Sequence, residues 1–140
     1  MRPTEIGRAS GYRVVVGAAI VRDGRVLAAR RRRPEPLAGG WEFPGGKVDA
    51  GEAETAAVVR ECAEELGVRV ACGARLPGEW QISASLVLRV FLAEIVSGEL
   101  RLGPDHDEVR WLSGAELFDV DWLPADLPAA VFLAELLPAG

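Results

Sequence analysis

Residues 45–68 read GGKVDAGEAETAAVVRECAEELGV, and this stretch constrains the fold more than any other. Ala, Glu, Arg and Leu dominate Glu54 to Leu66, with no Gly or Pro inside, so a helix is predicted there. Gly67 supplies the left-handed residue that stops it. Glu52 and Glu54 fall at or just before the positive end of the helix dipole, where carboxylates are favoured. Successive helical residues turn by about 100°. Glu61, Glu64 and Glu65 therefore share one solvent-side arc, while Val58, Val59, Cys62 and Leu66 form a stripe that faces a core. Three carboxylates on one arc repel one another unless something positive sits among them. Arg60, four residues before Glu64, offsets this in part. A divalent cation offsets it more fully, and Mg²⁺ prefers hard oxygen ligands and bridges to phosphates. Taken alone, the helix also fits a plain solvated surface.

The spacing of the whole stretch narrows these alternatives. Gly46, Glu52, Arg60-Glu61, apolar Cys62, Glu64-Glu65, Gly67 and apolar Val68 together resemble the Nudix box at every defined position, Cys62 being an unusual filler. The resemblance covers nearly the whole chain. It implies an α/β fold, an α/β/α sandwich around a central mixed sheet, and a Mg²⁺-dependent hydrolase in which Mn²⁺ can substitute. It further implies that the Gly45 carbonyl, Glu61, Glu64 and Glu65 hold metal, with Glu52 and Arg60 orienting them through ion pairs. Glu61 and Glu65 are the candidates for the general base, with Glu52 and Asp105 behind them.

The 140 residues suffice for one domain with a real core. Residues 1–11 read as a loose tail and 12–140 as a single domain. A net charge of −5 argues against a nucleic-acid polymer as partner; a small phosphate substrate still fits, because a bound metal reverses the local sign. Two cysteines make no disulfide framework. No secretory signal is visible, and the apolar run Val14 to Val21 is too short to span a bilayer. The expectation is a cytoplasmic protein without membrane contact, monomer or homodimer.

Along the chain, Tyr12–Val21 and Arg25–Arg30 read as a hairpin about Asp23-Gly24. Pro34–Gly40 reads as loop, Gly45-Gly46 as a tight turn, Arg69–Leu76 and Ser83–Ile95 as strands, and Leu100–Asp107 as loop. Val109–Leu112 reads as a short strand, Ser113–Leu117 as one helical turn and Pro128–Leu137 as a second helix.

Four further residues draw attention. Arg31, in the basic run Arg30–Arg33, resembles by position the substrate-phosphate arginine of MutT-like members; its plain reading is a charged strand end. Asp105 matches the acidic residue that approaches the metal in such proteins, and His106 beside it reads as a surface histidine. Asp126 precedes Leu127-Pro128 as a helix N-cap would, and by resemblance faces the nucleobase. Trp80 is the candidate for base stacking, although tryptophans are more often core. A proline about fifteen residues beyond the box, typical of ADP-ribose-type members, is absent, Ser83 standing there. The pattern WEFPGGK with DVDWLPAD is similar to MutT-like enzymes acting on CTP, dCTP or 8-oxo-dGTP. The rivals are a hydrolase of another nucleoside diphosphate-linked substrate, a catalytically silent nucleotide sensor, and a structural cation binder.

Overall fold

The first strand, β1 (Arg13–Arg22), is apolar on both faces and becomes the spine of the sheet. The computed structural model describes residues 12–140, so the tail expected at 1–11 lies outside the described residues. Alternate residues of β1 point to opposite sides. Val16, Ala18 and Ile20 join one buried cluster, and Ala19, flanked by Val15 and Val21, joins another. The first cluster is closed by helix α1 (Glu54–Leu66) through Ala57, Val58, Cys62 and Leu66. The second is closed by helix α2 (Leu127–Leu136) through Ala129, Ala130 and Leu133. The result is the expected α/β/α layering about a mixed sheet.

Seven further strands complete the sheet: β2 (Arg25–Arg31), β3 (Trp41–Glu42), β4 (Gly45–Lys47), β5 (Arg69–Arg75), β6 (Trp80–Ser83), β7 (Leu86–Ser97) and β8 (His106–Leu112). β1 runs parallel to β7, with Val15 opposite Leu88, and antiparallel to β4, with Val16 opposite Gly46. It meets β2 only at Val21↔Val26 and Arg22↔Arg25; β2 then diverges to pair with β3 and β8. The turn between them has φ of 52° at Asp23 and 76° at Gly24, both left-handed as the Asp-Gly pair predicts.

A strand residue fixes the start of α1 and a loop its end. Arg89 of β7 pairs with Glu54 at its first turn and with Glu79 at 2.8 Å. Gly67 stops the helix at φ 68°, and the Arg101 and Gly103 amides donate to the Leu66 and Glu65 carbonyls, which would otherwise lack partners. Among the described residues no helix is long and apolar enough to cross a membrane.

Several sequence expectations are corrected. Ser83–Ile95 is not one strand: Ser85 N–H donates to Ser83 Oγ at 3.3 Å, and this small polar turn reverses β6 into β7. The third strand of that region starts at His106 rather than Val109. The basic run and the acidic loop zip together there, Arg30 with Asp107 at 2.7 Å and Arg33 with Asp105 at 2.8 Å. The loop at 34–40 contains a 3-10 turn over Glu35–Leu37. Gly45-Gly46 is an extended strand, not a tight turn. Its glycines answer crowding rather than dihedral need: a Cβ on Gly45 would collide with the Val16 carbonyl oxygen, and one on Gly46 would lie 2.6 Å from the Glu61 carboxyl carbon.

Candidate active site

The site is assembled where β4 lies beneath the acidic face of α1. Gly45 N–H donates to Glu65 Oε1 at 2.9 Å, and Gly46 faces the Glu61 carboxylate. Arg60 is the cationic hub. Its guanidinium forks onto Glu52 at 2.8 and 2.9 Å, reaches Glu61 at 2.8 Å and Glu64 at 3.4 Å, and donates to the Lys47 carbonyl. The Arg60 contact, joined by the Asp49 amide, holds Glu52 down to about 2. The arc is not uniformly solvent-facing: side chains of Glu61 and Glu64 are 14% and 58% exposed.

Burial pushes the Glu65 carboxyl up to about 7; His106 and the Gly45 amide oppose this, while Glu42 and Glu61 add to it. Burial also raises Glu61 against the pull of Arg60. These are carboxylates raised mainly by burial, with mutual repulsion added, and a cation relieves both. Among the described residues no three acidic, histidine or cysteine side chains already converge as a cation cage, since Glu61 is turned to Arg60 and Glu65 to Gly45. The donor set nonetheless fits a hard divalent ion. It consists of carboxylates and backbone oxygen, and the missing Cβ of Gly46 lets the Glu61 carboxylate lie directly against the strand.

The structure brings Gly45, Glu52, Arg60, Glu61, Glu64 and Glu65 into one bonded network. It places the other candidates elsewhere. Asp105 is bonded to Arg33, not to the acidic helix. Arg31 donates to Glu42 Oε2 at 3.1 Å and to the Arg33 carbonyl, so its guanidinium is largely engaged within the protein. Trp80 is half-buried on β6 and packs against the α2-side core. Asp126 occupies the N-cap position of α2, yet its side chain makes no cap bond. It accepts instead from Phe43 N–H at 3.0 Å, because residues 121–123 bond to Trp41 and draw it under β3. Burial, with the nearby Glu42 charge, pushes the Asp126 carboxyl up to about 8. Phe43 and Trp122 stack beside it, centroids 4.6 Å apart.

Two residues escaped the sequence reading. His106 is fully buried, not surface, and its Nε2 lies 2.8 Å from Glu42 Oε2. Glu42 thus binds both Arg31 and His106. The available signal was alternation: Trp41 and Phe43 are apolar, so the residue between them faces the opposite side of the sheet and needs a partner there.

A layered α/β chain with an acidic helix packed on a glycine strand, and a partly exposed arginine as hub, suits a hydrolase acting on phosphorus anhydrides. The chain belongs to the NUDIX domain family, whose profile matches residues 11–139. Hydrolases of this family generally use a divalent metal. A provisionally named 8-oxo-dGTP diphosphatase of Mycobacterium tuberculosis is 49% identical over 116 residues, covering 81% of this chain and 82% of that one. The CTP pyrophosphohydrolase of Escherichia coli is 35% identical over 116 residues, covering 81% and 85%. The crystal structure of a MutT NUDIX hydrolase from Burkholderia pseudomallei superposes with a TM-score of 0.69 at 39% identity, over 88% of this chain and 95% of that chain. The protein is accordingly a pyrophosphohydrolase.

Proposed function

We propose that this chain is a Mg²⁺-dependent nucleoside triphosphate pyrophosphohydrolase that cleaves CTP, dCTP or 8-oxo-dGTP to the nucleoside monophosphate and pyrophosphate in the cytoplasmic nucleotide pool. One observation carries the reading. Within three residues, the Phe43 amide holds Asp126 and the Gly45 amide holds Glu65. A base-reading carboxyl beside a stacked aromatic pair is thereby fixed to the same short segment as the acidic helix face. A nucleotide laid along that segment meets both ends. The names of the relatives from M. tuberculosis and E. coli point to the same substrates.

In this reading water attacks a phosphorus of the triphosphate and a phosphoanhydride bond breaks. Glu65 or Glu61 accepts the proton of that water. Arg60 and Glu52 keep Glu61 in place, and the Gly45 amide does the same for Glu65. Gly45, Glu61, Glu64 and Glu65 would hold the metal, Asp105 approaching if it leaves Arg33. When bound, the cation supplies charge neutralisation for the phosphates and a lower pKa for the attacking water. Arg31 offers its remaining N–H groups to a phosphate, Asp126 reads the base edge, and Trp80 is the further aromatic for stacking.

The test is a nucleotide panel with Mg²⁺, with Mn²⁺ and with chelator, read as product identity. CTP, dCTP or 8-oxo-dGTP should give monophosphate plus pyrophosphate only with metal. Release of orthophosphate, or turnover confined to nucleoside diphosphate-linked compounds, overturns the reading.

A further inference from the structure

Glu42 has no part in the mechanism above, yet it stands between the two ends of the cleft. It immediately precedes Phe43, which holds Asp126, and lies three residues before Gly45, which holds Glu65. Trp41 and Phe43 are buried in the α2-side core, so the Glu42 side chain projects to the α1 side, toward Glu65. Its charge is felt at both Glu65 and Asp126.

Its bonding is lopsided. Oε2 receives Arg31 Nη1 at 3.1 Å and His106 Nε2 at 2.8 Å. Among the described residues Oε1 has no hydrogen-bond partner, and the one fully buried side-chain atom left without a partner is His106 Nδ1. Oε1 is therefore not fully buried, although the Glu42 side chain is only 15% exposed, and its carboxylate is pinned by two donors from β2 and β8. A pinned acceptor costs little ordering when a ligand arrives.

We infer that Glu42 Oε1 accepts a hydrogen bond from a sugar hydroxyl of the bound nucleotide and is a specificity-determining contact of this site; the inference rests on the triphosphate reading above. The chemistry is selective. A carboxylate held by a guanidinium and an imidazole offers only acceptors. A nucleoside triphosphate at neutral pH presents only acceptors along its phosphates, and its base is read at Asp126. Between the two, the donors are the sugar hydroxyls. A phosphate oxygen at the same place would meet a like charge.

The experiment compares kcat/KM for CTP, dCTP and 3′-deoxy-CTP, with the 8-oxoguanine set in parallel, in the parent protein and in Glu42→Gln. Removing the contacted hydroxyl should lower kcat/KM of the parent by about 10-fold or more, the size of a hydrogen bond to a charged group. In Glu42→Gln the amide oxygen stays on Arg31 and His106 and the NH₂ turns to the cleft, so the same removal should matter less than about 3-fold. A merely structural Glu42 would slow every substrate equally and leave the hydroxyl dependence intact. A parent that hydrolyses no triphosphate overturns the substrate reading and this inference together. A parent that hydrolyses them without hydroxyl dependence, or a variant that keeps the parent's dependence, overturns the inference alone. Should Glu42→Gln fail to fold, Glu42→Asp, which draws the oxygen back by one methylene, gives the same comparison with the same refuting result.

Discussion

Adding one methyl group at Gly46 should separate activity from stability. In Gly46→Ala the new Cβ would lie 2.6 Å from the Glu61 carboxyl carbon and 2.6 to 2.7 Å from its oxygens. Carbon contacts are comfortable from roughly 3.5 Å, so the carboxylate must retreat by about 1 Å. It can do so, being the flexible end of a side chain. The strand itself is untroubled, since Gly46 is extended, and Ala in place of Gly adds about 0.4–1 kcal/mol where the backbone is compatible. A displacement of about 1 Å in a reacting group can cost on the order of 10²-fold in rate. Turnover at saturating Mg²⁺ should therefore fall about 100-fold while the melting temperature holds or rises. Gly45→Ala is the counterpart. Its Cβ would strike the Val16 carbonyl oxygen, which is locked by the pairing of β1 with β7 and cannot yield. Overpacking of that kind costs about 1–3 kcal/mol or more, and at this chain length each kcal/mol lowers Tm by about 3–5 °C. Circular dichroism melts with steady-state turnover on both variants decide the matter. A Gly46→Ala enzyme with more than about a third of parental turnover would refute the placement of Glu61, whatever its stability.

Glu65→Gln keeps the bond from Gly45 but removes a negative charge, so turnover should drop by at least about 10²-fold with an unchanged dichroism spectrum; near-normal turnover at saturating Mg²⁺ would remove Glu65 from the site. Burial lifts Asp126 from its ordinary 3.8 to about 8. The folded protein therefore keeps a proton there that the unfolded chain loses from about pH 4 upward, and stability should decline as pH rises through about 4 to 8. Asp126→Asn, neutral throughout, should flatten that decline in melts across the range; an unaltered slope would contradict the buried, protonated carboxyl. Arg31→Ala should destabilise the fold by about 1–3 kcal/mol by leaving Glu42 without its guanidinium, whereas Arg33→Ala, at 57% side-chain exposure, should stay within about 0.5 kcal/mol; equal melting temperatures would dissolve the distinction.

Local signals proved readable, and long-range ones did not. The α1 span, its Gly67 stop and the Asp23-Gly24 turn depend on residues within a few positions of one another, and all three stand where the pattern put them. The bond from Arg60 to Glu52 follows from one loop folding onto the next helix turn. Glu42 and His106 are 64 positions apart, and nothing local in an acidic loop announces that its histidine is buried. Asp126 fits every local rule for a cap, yet a tertiary donor, the Phe43 amide, outbids the helix end. The glycine pair misled because glycine serves two ends, unusual dihedrals and absent bulk, and only the neighbours reveal which one applies.

The parallel pairing of β1 with β7 bears on how the chain is made. Val15 registers with Leu88, so the most apolar strand must await a partner 73 residues downstream. At synthesis rates of roughly 5–20 residues per second that is a delay of roughly 4 to 15 s, during which VVVGAAIV has only its two-pair contact with β2 and the short ladder with β4, and its β7 edge stays open. An unpaired β-branched segment is an aggregation hazard in a nascent polypeptide. Slower translation between β1 and β7 should therefore lower soluble yield, while a circular permutant that begins at β7 and places β1 after it would shorten the wait.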